Sequence, residues 1–185
     1  MTDMDTFPED DRRWFMHIGY LAQNWAAVET TLDGIVRQIH TQYGGVRGEL
    51  EPPQAFNRKR TYIRKAFAAH PALVGFSEGM EGLLDTATRL AEIRHWALHS
   101  GWAESDAATT MLRRYSRAEP LKLEERQFSI DDIYSAAVEC ASLMLTLSLF
   151  GRRAFGLMTQ EQIEEFISKF AGQVGTPLPS DDPAS

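Results

Sequence analysis

The chain has 185 residues, a length typical of one domain, and 43% of them are hydrophobic, which is enough for a core. Its net charge of −7 argues against a protein that coats nucleic acid through a broad basic surface. The N-terminus, MTDMDTFPEDD, lacks the positive region of a signal peptide. The most apolar stretch, residues 136–150, is interrupted by Glu139 and is shorter than the about 20 residues that span a bilayer. We therefore expect a cytoplasmic protein without membrane contact.

The first predicted element is a long helix over approximately residues 10–40. Its apolar residues alternate spacings of four and three, which is typical of a helix with a continuous packing seam. These residues are Trp14, Ile18, Leu21, Trp25, Val28, Leu32, Ile35 and Ile39. The seam could face a partner helix in the same chain or in a second subunit.

Two more helices are predicted after a break at Gly44, Gly45 and Gly48. The second covers residues 55–69 and ends before Pro71, because the residue preceding a proline disfavours helical geometry. The third covers residues 77–99, with Ser77 as a candidate N-cap and a stop at residues 100–101.

The remaining chain is predicted to hold a small β-hairpin or a long loop, then two helices. Residues 102–128 contain the hairpin candidates TTMLRRYSR and LKLEERQF. Ser129 with Asp132, and Thr159 with Gln162, form capping-box patterns that open the fourth and fifth helices. The polar, Pro-rich residues 173–185 predict a disordered tail. The prediction is an all-α bundle of four to five helices, with residues 1–172 as one domain.

The end of the third helix, EIRHWALHSGW, places an arginine among apolar residues. With about 100° of rotation per residue, one stripe contains Leu83, Ala87, Leu90, Ala97 and Leu98. Arg94 falls in the middle of that stripe, while Glu92, His95 and His99 share its flank. A guanidinium there is costly to desolvate unless it is paired or faces a polar cleft. The pattern therefore predicts either a buried ion pair, for example with Glu29, or a functional cleft.

A metal site is an alternative interpretation of the two histidines. His95 and His99 stand four residues apart, and Glu92 completes an E-x-x-H sequence. A di-iron carboxylate bundle needs a second such sequence. Residues 14, 37 and 67, which precede the other histidines by three positions, are not glutamates. We therefore predict no metal.

The sequence Arg94-His95-Trp96-Ala97-Leu98-His99 resembles the motif of HEPN domains, in which an arginine and a polar residue are followed by a histidine. Residues 100–102, Ser-Gly-Trp, resemble the turn that follows that histidine. The resemblance extends to the long Trp-containing first helix, the basic second helix and a late helix that opens with FSIDDI.

The resemblance implies an all-α bundle that dimerises and brings two copies of the motif into one cleft. Many family members are metal-independent endoribonucleases, often toxins with a cognate antitoxin protein or parts of anti-phage systems. His99 would then be the general base or acid, and Arg94 would stabilise the charged phosphate. RNA would be the substrate, no cofactor would be needed, and the products would be a 2′,3′-cyclic phosphate and a 5′-hydroxyl.

This chain departs from the family pattern at His95, where asparagine is most common. His95 could act as a second proton-transfer group, and Glu92 could orient either histidine or remain solvated. Other members of the family do no chemistry and serve as binding or dimerisation modules. In such a module Arg94 would hold the dimer cleft together.

A dense basic run in the second helix is the predicted RNA-binding surface. It contains Arg58, Lys59, Arg60, Arg64 and Lys65, which could follow an RNA backbone or form an ordinary solvated helix face. Three further arginines, at positions 113, 114 and 117, have the same two interpretations.

Overall fold

Five helices and a three-stranded antiparallel sheet form the described part of the computed structural model, which covers residues 9–46, 51–105, 109–116, 119 and 121–174. The helices are α1 (Glu9–Tyr43), α2 (Phe56–Ala69), α3 (Ser77–His99), α4 (Ile130–Ala154) and α5 (Gln160–Val174). The strands are β1 (Gly101–Ser105), β2 (Thr109–Tyr115) and β3 (Leu123–Ser129), in the order β1-β2-β3. The predicted helical bundle is confirmed: the described part is mostly α-helical, and its small sheet lies where a hairpin or a long loop was predicted.

The 35 residues of α1 lie mainly along α4. Every predicted seam residue is buried except Ile18, which is partly buried against the same core. Near the middle of this contact, the Asn24 amide donates a hydrogen bond to the backbone oxygen of Ala137 at 3.0 Å. The apolar seam is therefore used inside the chain, and it gives no support to a contact with a second subunit.

A 3-10 turn over Val74–Phe76 leads directly into α3. Ser77 consequently already has helical dihedral angles, φ −62° and ψ −42°. The N-cap is Phe76, which makes no side-chain capping bond, so the predicted Ser77 cap is wrong. The predicted end of α3 is confirmed, because His99 is its last residue and Ser100 its extended C-cap.

Both predicted capping boxes are confirmed. The backbone N–H of Asp132 donates to Ser129 Oγ at 3.0 Å, and the backbone N–H of Ser129 donates to the Asp132 carboxylate at 2.8 Å. Thr159 and Gln162 make the equivalent pair at the start of α5, at 3.2 and 2.9 Å. Since α5 reaches Val174, it passes the predicted domain end at 172, and residues 175–185 of the predicted tail lie outside the described residues.

The predicted hairpin is confirmed as β2 and β3, and β1 adds a third strand. Thr110 pairs with Phe128, and Arg114 pairs with Glu124. β1 begins two residues after His99 and pairs with β2 from Gly101 onwards. The sheet therefore starts at the end of α3 and is joined directly to the segment that carries the predicted site.

The 25 residues of α4 are long and apolar enough to cross a bilayer, with a mean hydropathy of 1.6 in their most apolar window. The helix is longer than the apolar stretch that the sequence suggested, so the argument from length is wrong. A core helix meets the same criteria, and α4 supplies nine buried residues to this fold. The expectation of no membrane contact stays a prediction.

Candidate functional site

The last two turns of α3 carry the candidate site. Ala87, Leu90 and Ala97 of the predicted stripe are buried, while Leu83 and Leu98 are half-buried. The sequence did not predict the burial of Met80, Leu84 and Trp96 on the same helix.

Arg94 is half-buried, and its Nε atom is enclosed and has no hydrogen-bond partner among the described residues. The guanidinium therefore sits at the boundary between the core and the surface. The sequence predicted either a buried ion pair or a functional cleft for Arg94. Its half-buried position lies between these two alternatives.

The guanidinium of Arg94 contacts the imidazole of His99. The Arg94 Nη1 atom lies 3.0 Å from His99 Nε2. In the tautomer that carries its proton on Nδ1, His99 Nε2 accepts a hydrogen bond from this guanidinium. The contact places the Nε2 nitrogen next to a permanent positive charge.

The predicted alternative, a buried ion pair between Arg94 and Glu29, is not formed. Among the side chains that the structure describes, no carboxylate oxygen lies within 4.0 Å of Arg94. Glu29 lies instead in the wall of a cleft that Arg94 also lines. The two charges face the same solvent-filled space without a direct contact.

Glu92 is held by the sheet. It accepts a hydrogen bond from Arg114 Nη2 at 2.8 Å, across the junction between α3 and β2. Partial burial raises the pKa of Glu92, but the hydrogen bond and charge of Arg114 outweigh it, so the pKa lies below its ordinary value. Trp96 and His95 make smaller contributions in the same direction. The carboxylate is therefore engaged in structure, which leaves little basis for the predicted role in orienting a histidine.

Arg114 is the residue that sequence reasoning did not assign to the site. Its Cζ atom lies 3.9 Å from the centre of the Trp96 ring, and its Nε donates to Glu124 at 3.4 Å. Only 18% of its side chain is exposed. Side chains alternate between the two faces of a strand, so Thr110, Leu112 and Arg114 share one face of β2. Thr110 and Leu112 are buried, and this alternation could have indicated that Arg114 also faces the interior. Arg114 thus ties the sheet to the turn of α3 that carries Arg94 and His99.

The two histidines lie side by side, with ring centres 4.9 Å apart. In the described ranges no group of three or more histidine, cysteine, aspartate or glutamate residues is placed to hold a metal ion. Zinc sites use at least three protein ligands. The described residues therefore do not complete a metal centre around His95 and His99.

A polar cleft of about 280 Å³ opens beside the motif, between α1, α2 and α3. Its walls include Trp25, Glu29, Phe56, Asn57, Arg94 and His95. Trp25 and Phe56 meet edge to face, with ring centres 5.2 Å apart. Aromatic, anionic, amide and cationic groups therefore converge on one small space within a single chain.

The predicted RNA-binding run is largely engaged with neighbouring helices. Lys59 is 4% exposed and lies 2.5 Å from Asp33 Oδ1 on α1. Arg60 donates to Thr88 Oγ1 at 2.6 Å on α3. Arg64 donates to two further acidic side chains of α3, Glu81 and Asp85, both at 2.7 Å. A fully solvated helix face is therefore wrong for this run.

Arg58 and Lys65 are the exposed members of the run. RNA contact by any of the five residues stays a prediction. In the sheet, Arg113 donates to Glu125 at 2.5 Å, while Arg117 lies outside the described residues.

Exposed aromatic side chains lie close to the end of the motif. Trp102 in β1 is 37% exposed and stacks on Phe15 of α1, which is 51% exposed, with ring centres 5.3 Å apart. Met16 and Tyr20 of α1 are also exposed. Large exposed apolar side chains that lie together are typical of a surface that binds a partner.

A cavity of about 450 Å³ is separate from the motif. It lies between the end of α1 and α2 and is lined mainly by apolar side chains, including Tyr43, Ala66 and Leu73. Of the predicted site residues, only Lys65 reaches it. Comparison of the chain with protein-family models, curated proteins and solved structures found no match, so the site is interpreted from its own residues.

Proposed function

We propose that this protein is a metal-independent endoribonuclease of the HEPN type, acting in the cytoplasm as a homodimer in a toxin or defence system. The observation that carries the proposal is the 3.0 Å contact between Arg94 Nη1 and His99 Nε2. It places an imidazole and a permanent cation at one point of the surface. These are the two groups that metal-free RNA cleavage requires.

The proposed reaction starts when a phosphate of the RNA draws the Arg94 guanidinium away from His99. Arginine presents a fork of donors that suits phosphate oxygens, and its charge stabilises the negative transition state. His99 Nε2 is then free to accept the proton of the 2′-hydroxyl. The 2′-oxygen attacks phosphorus, the bond to the 5′-oxygen breaks, and the departing oxygen takes up a proton. The products are a 2′,3′-cyclic phosphate and a 5′-hydroxyl.

His95 is the proposed source of the proton for the departing oxygen. Its ring centre is 4.9 Å from that of His99, and it lines the same cleft as Arg94. A base and an acid on one helix face allow both proton transfers without a metal or another cofactor. Glu92 is bonded to Arg114, so it joins the sheet to this part of α3 and takes no part in the proton transfers of this scheme.

The homodimer is proposed on the basis of the exposed aromatic surface. Phe15 and Trp102 stack with both rings accessible, and Trp102 is only three residues from His99. Pairing of two such surfaces would bring two copies of the motif close together. A cognate antitoxin protein is a second proposed partner, which would cover the same region.

The proposal is tested by RNA cleavage with purified protein in EDTA. We expect wild type to cut RNA, and His99→Ala and Arg94→Ala each to abolish cutting while the circular dichroism spectrum is unchanged. His17→Ala and Arg152→Ala are matched controls, because both residues lie outside the cleft, and they should keep activity. Cleavage only with added divalent metal, or normal cleavage by His99→Ala, would show that this mechanism is wrong.

A non-catalytic dimerisation or binding module is the second candidate function. It is favoured by the basic run, in which Lys59, Arg60 and Arg64 are already bonded inside the chain. Wild type without nuclease activity under any condition, together with a dimer that Trp102→Ser dissociates in sedimentation, would support it. A monomeric wild type would contradict both candidates.

A further inference from the structure

The cleft beside Arg94 contains polar groups that phosphate chemistry does not use. Glu29 is half-buried in its wall and makes no ion pair or hydrogen bond with any side chain in the described parts of the chain. Asn57, in the first turn of α2, lines the same space. The oxygens of the Glu29 carboxylate are therefore available to a ligand that donates hydrogen bonds.

We propose that this cleft is a nucleobase site that prefers guanine, and that it takes the base of the nucleotide whose phosphate Arg94 binds. The carboxylate of Glu29 accepts hydrogen bonds only, through two adjacent oxygens. Among the four RNA bases, guanine alone has two adjacent N–H donors on its pairing edge, at N1 and N2. Its remaining acceptor, O6, suits the amide donors of Asn57.

The dimensions of the cleft fit one base and not an extended strand. Its volume of about 280 Å³ is below the about 300–1,000 Å³ of pockets for larger ligands. Phe56 is half-buried and lines the cleft, and Trp25, which is 3% exposed, supports it edge to face. An accessible ring of this kind is a stacking surface, which is the usual way in which proteins hold an unpaired base.

The surroundings also favour the phosphate of the same nucleotide. Arg94 lines the cleft, and α2 begins beside it with Ala55 as an N-cap that makes no side-chain hydrogen bond. The first turn of α2 has no acidic residue to repel an anion. A nucleoside monophosphate would thus meet the Glu29 carboxylate for its base and the Arg94 guanidinium for its phosphate. The other carboxylate that lines the cleft, that of Glu92, is bonded to Arg114.

The base site rests on the proposed function only for its role in RNA cleavage, because binding of a mononucleotide can be measured without any reaction. The full-length protein is titrated by calorimetry with the 3′-monophosphates of guanosine, adenosine, cytidine and uridine. We expect guanosine 3′-monophosphate to bind about 10-fold or more tightly than the other three. Glu29→Gln, which replaces an acceptor by a donor, should remove the preference, whereas Glu161→Gln on α5 is the matched control and should keep it.

The phosphate contact is tested with Arg94→Ala, which should weaken all four nucleotides by a similar factor and leave the order of affinities unchanged. Equal binding of the four nucleotides by wild type, or a guanine preference that survives in Glu29→Gln, would overturn the base site. If the protein cuts RNA but binds the four nucleotides equally, the guanine site is refuted and the proposed nuclease activity is not. If the protein prefers guanosine 3′-monophosphate but cuts no RNA, the proposed nuclease activity is refuted and the guanine site is not. A folded Phe56→Leu variant that keeps full affinity would refute the stacking surface.

Discussion

The ion pair between Lys59 and Asp33 gives a prediction that separates a structural role from RNA binding. The side chain of Lys59 is 5% exposed, whereas that of Asp33 is 46% exposed, and their charged atoms are 2.5 Å apart. Asp33→Asn would leave a buried ammonium without its counter-charge. Lys59→Met would leave a carboxylate that water can still solvate. The two substitutions remove the same ion pair, but we expect them to have very different effects on stability.

The magnitude follows from this difference in exposure. Removing one partner of a fully buried ion pair costs about 3–5 kcal/mol. Because Asp33 is half exposed, solvent screening already weakens the pair, and we expect Asp33→Asn to cost about 1–3 kcal/mol. Methionine retains much of the apolar stem of Lys59, so Lys59→Met should change the free energy of unfolding by less than about 1 kcal/mol. The double variant should resemble Lys59→Met, since no buried charge remains in it.

The measurement is urea unfolding followed by circular dichroism. Lys65→Met is the matched control, since Lys65 is on the same helix but exposed, and it should change stability by about 0.5 kcal/mol or less. For RNA affinity we expect the exposed residue to matter and the buried one not to. Lys65→Met should weaken RNA binding, and Lys59→Met should leave it unchanged. The reasoning is refuted if Asp33→Asn is as stable as wild type while Lys59→Met is strongly destabilised.

Three further predictions concern other parts of the fold. Arg114→Ala should cost about 2 kcal/mol through loss of the Trp96 stack and the Glu92 bond, and should shift the tryptophan emission spectrum; an unchanged spectrum would contradict this. Ser129→Ala should cost about 1 kcal/mol in thermal unfolding. The backbone and hydroxyl hydrogen bonds of Ser129 lower the pKa of Asp132 below 3.8, so this contribution is present above about pH 4 and is lost as the pH falls through the lowered pKa; Asp132→Asn should remove that loss. Burial, with a smaller contribution from the charge of Glu139, raises the pKa of Cys140 to about 11, so a thiol reagent at pH 8 should label it only after unfolding.

Local patterns in the sequence predicted the helices well, since each element carries its own signal. The two capping boxes and the alternating spacing in α1 depend on residues that are close in the chain, and the structure confirms them. The first strand was missed because five residues, Gly101–Ser105, are too few to show a period of two. Their strand geometry depends on pairing with β2, which a pattern confined to β1 cannot show.

The sequence identified the residues of the candidate site, but it did not show which side chains those residues contact. The position of Arg94 in an apolar stripe marked it as unusual, but the period of the helix placed His99 on the flank of that stripe, about 140° around the helix from Arg94. Which group would satisfy the guanidinium depended on the relative positions of three helices. The expected partner, Glu29, faces the same cleft, yet Arg94 bonds to His99, which lies on its own helix. Likewise, the role of Arg114 required knowledge of which side of β2 meets Trp96.

The hydrogen bond from Asn24 to the backbone of Ala137 has a consequence for the geometry of the cleft. The apolar spacing of α1 nearly repeats every seven residues, so apolar contacts alone would allow α1 to shift along α4. A slide of one turn, about 5.4 Å, would break the hydrogen bond between the Asn24 side chain and Ala137. It would leave the amide donor and the backbone acceptor without a partner. Asn24 is followed immediately by Trp25, and Glu29 is one further turn along. A single side-chain hydrogen bond therefore fixes the position along α4 of the part of α1 that forms one wall of the cleft.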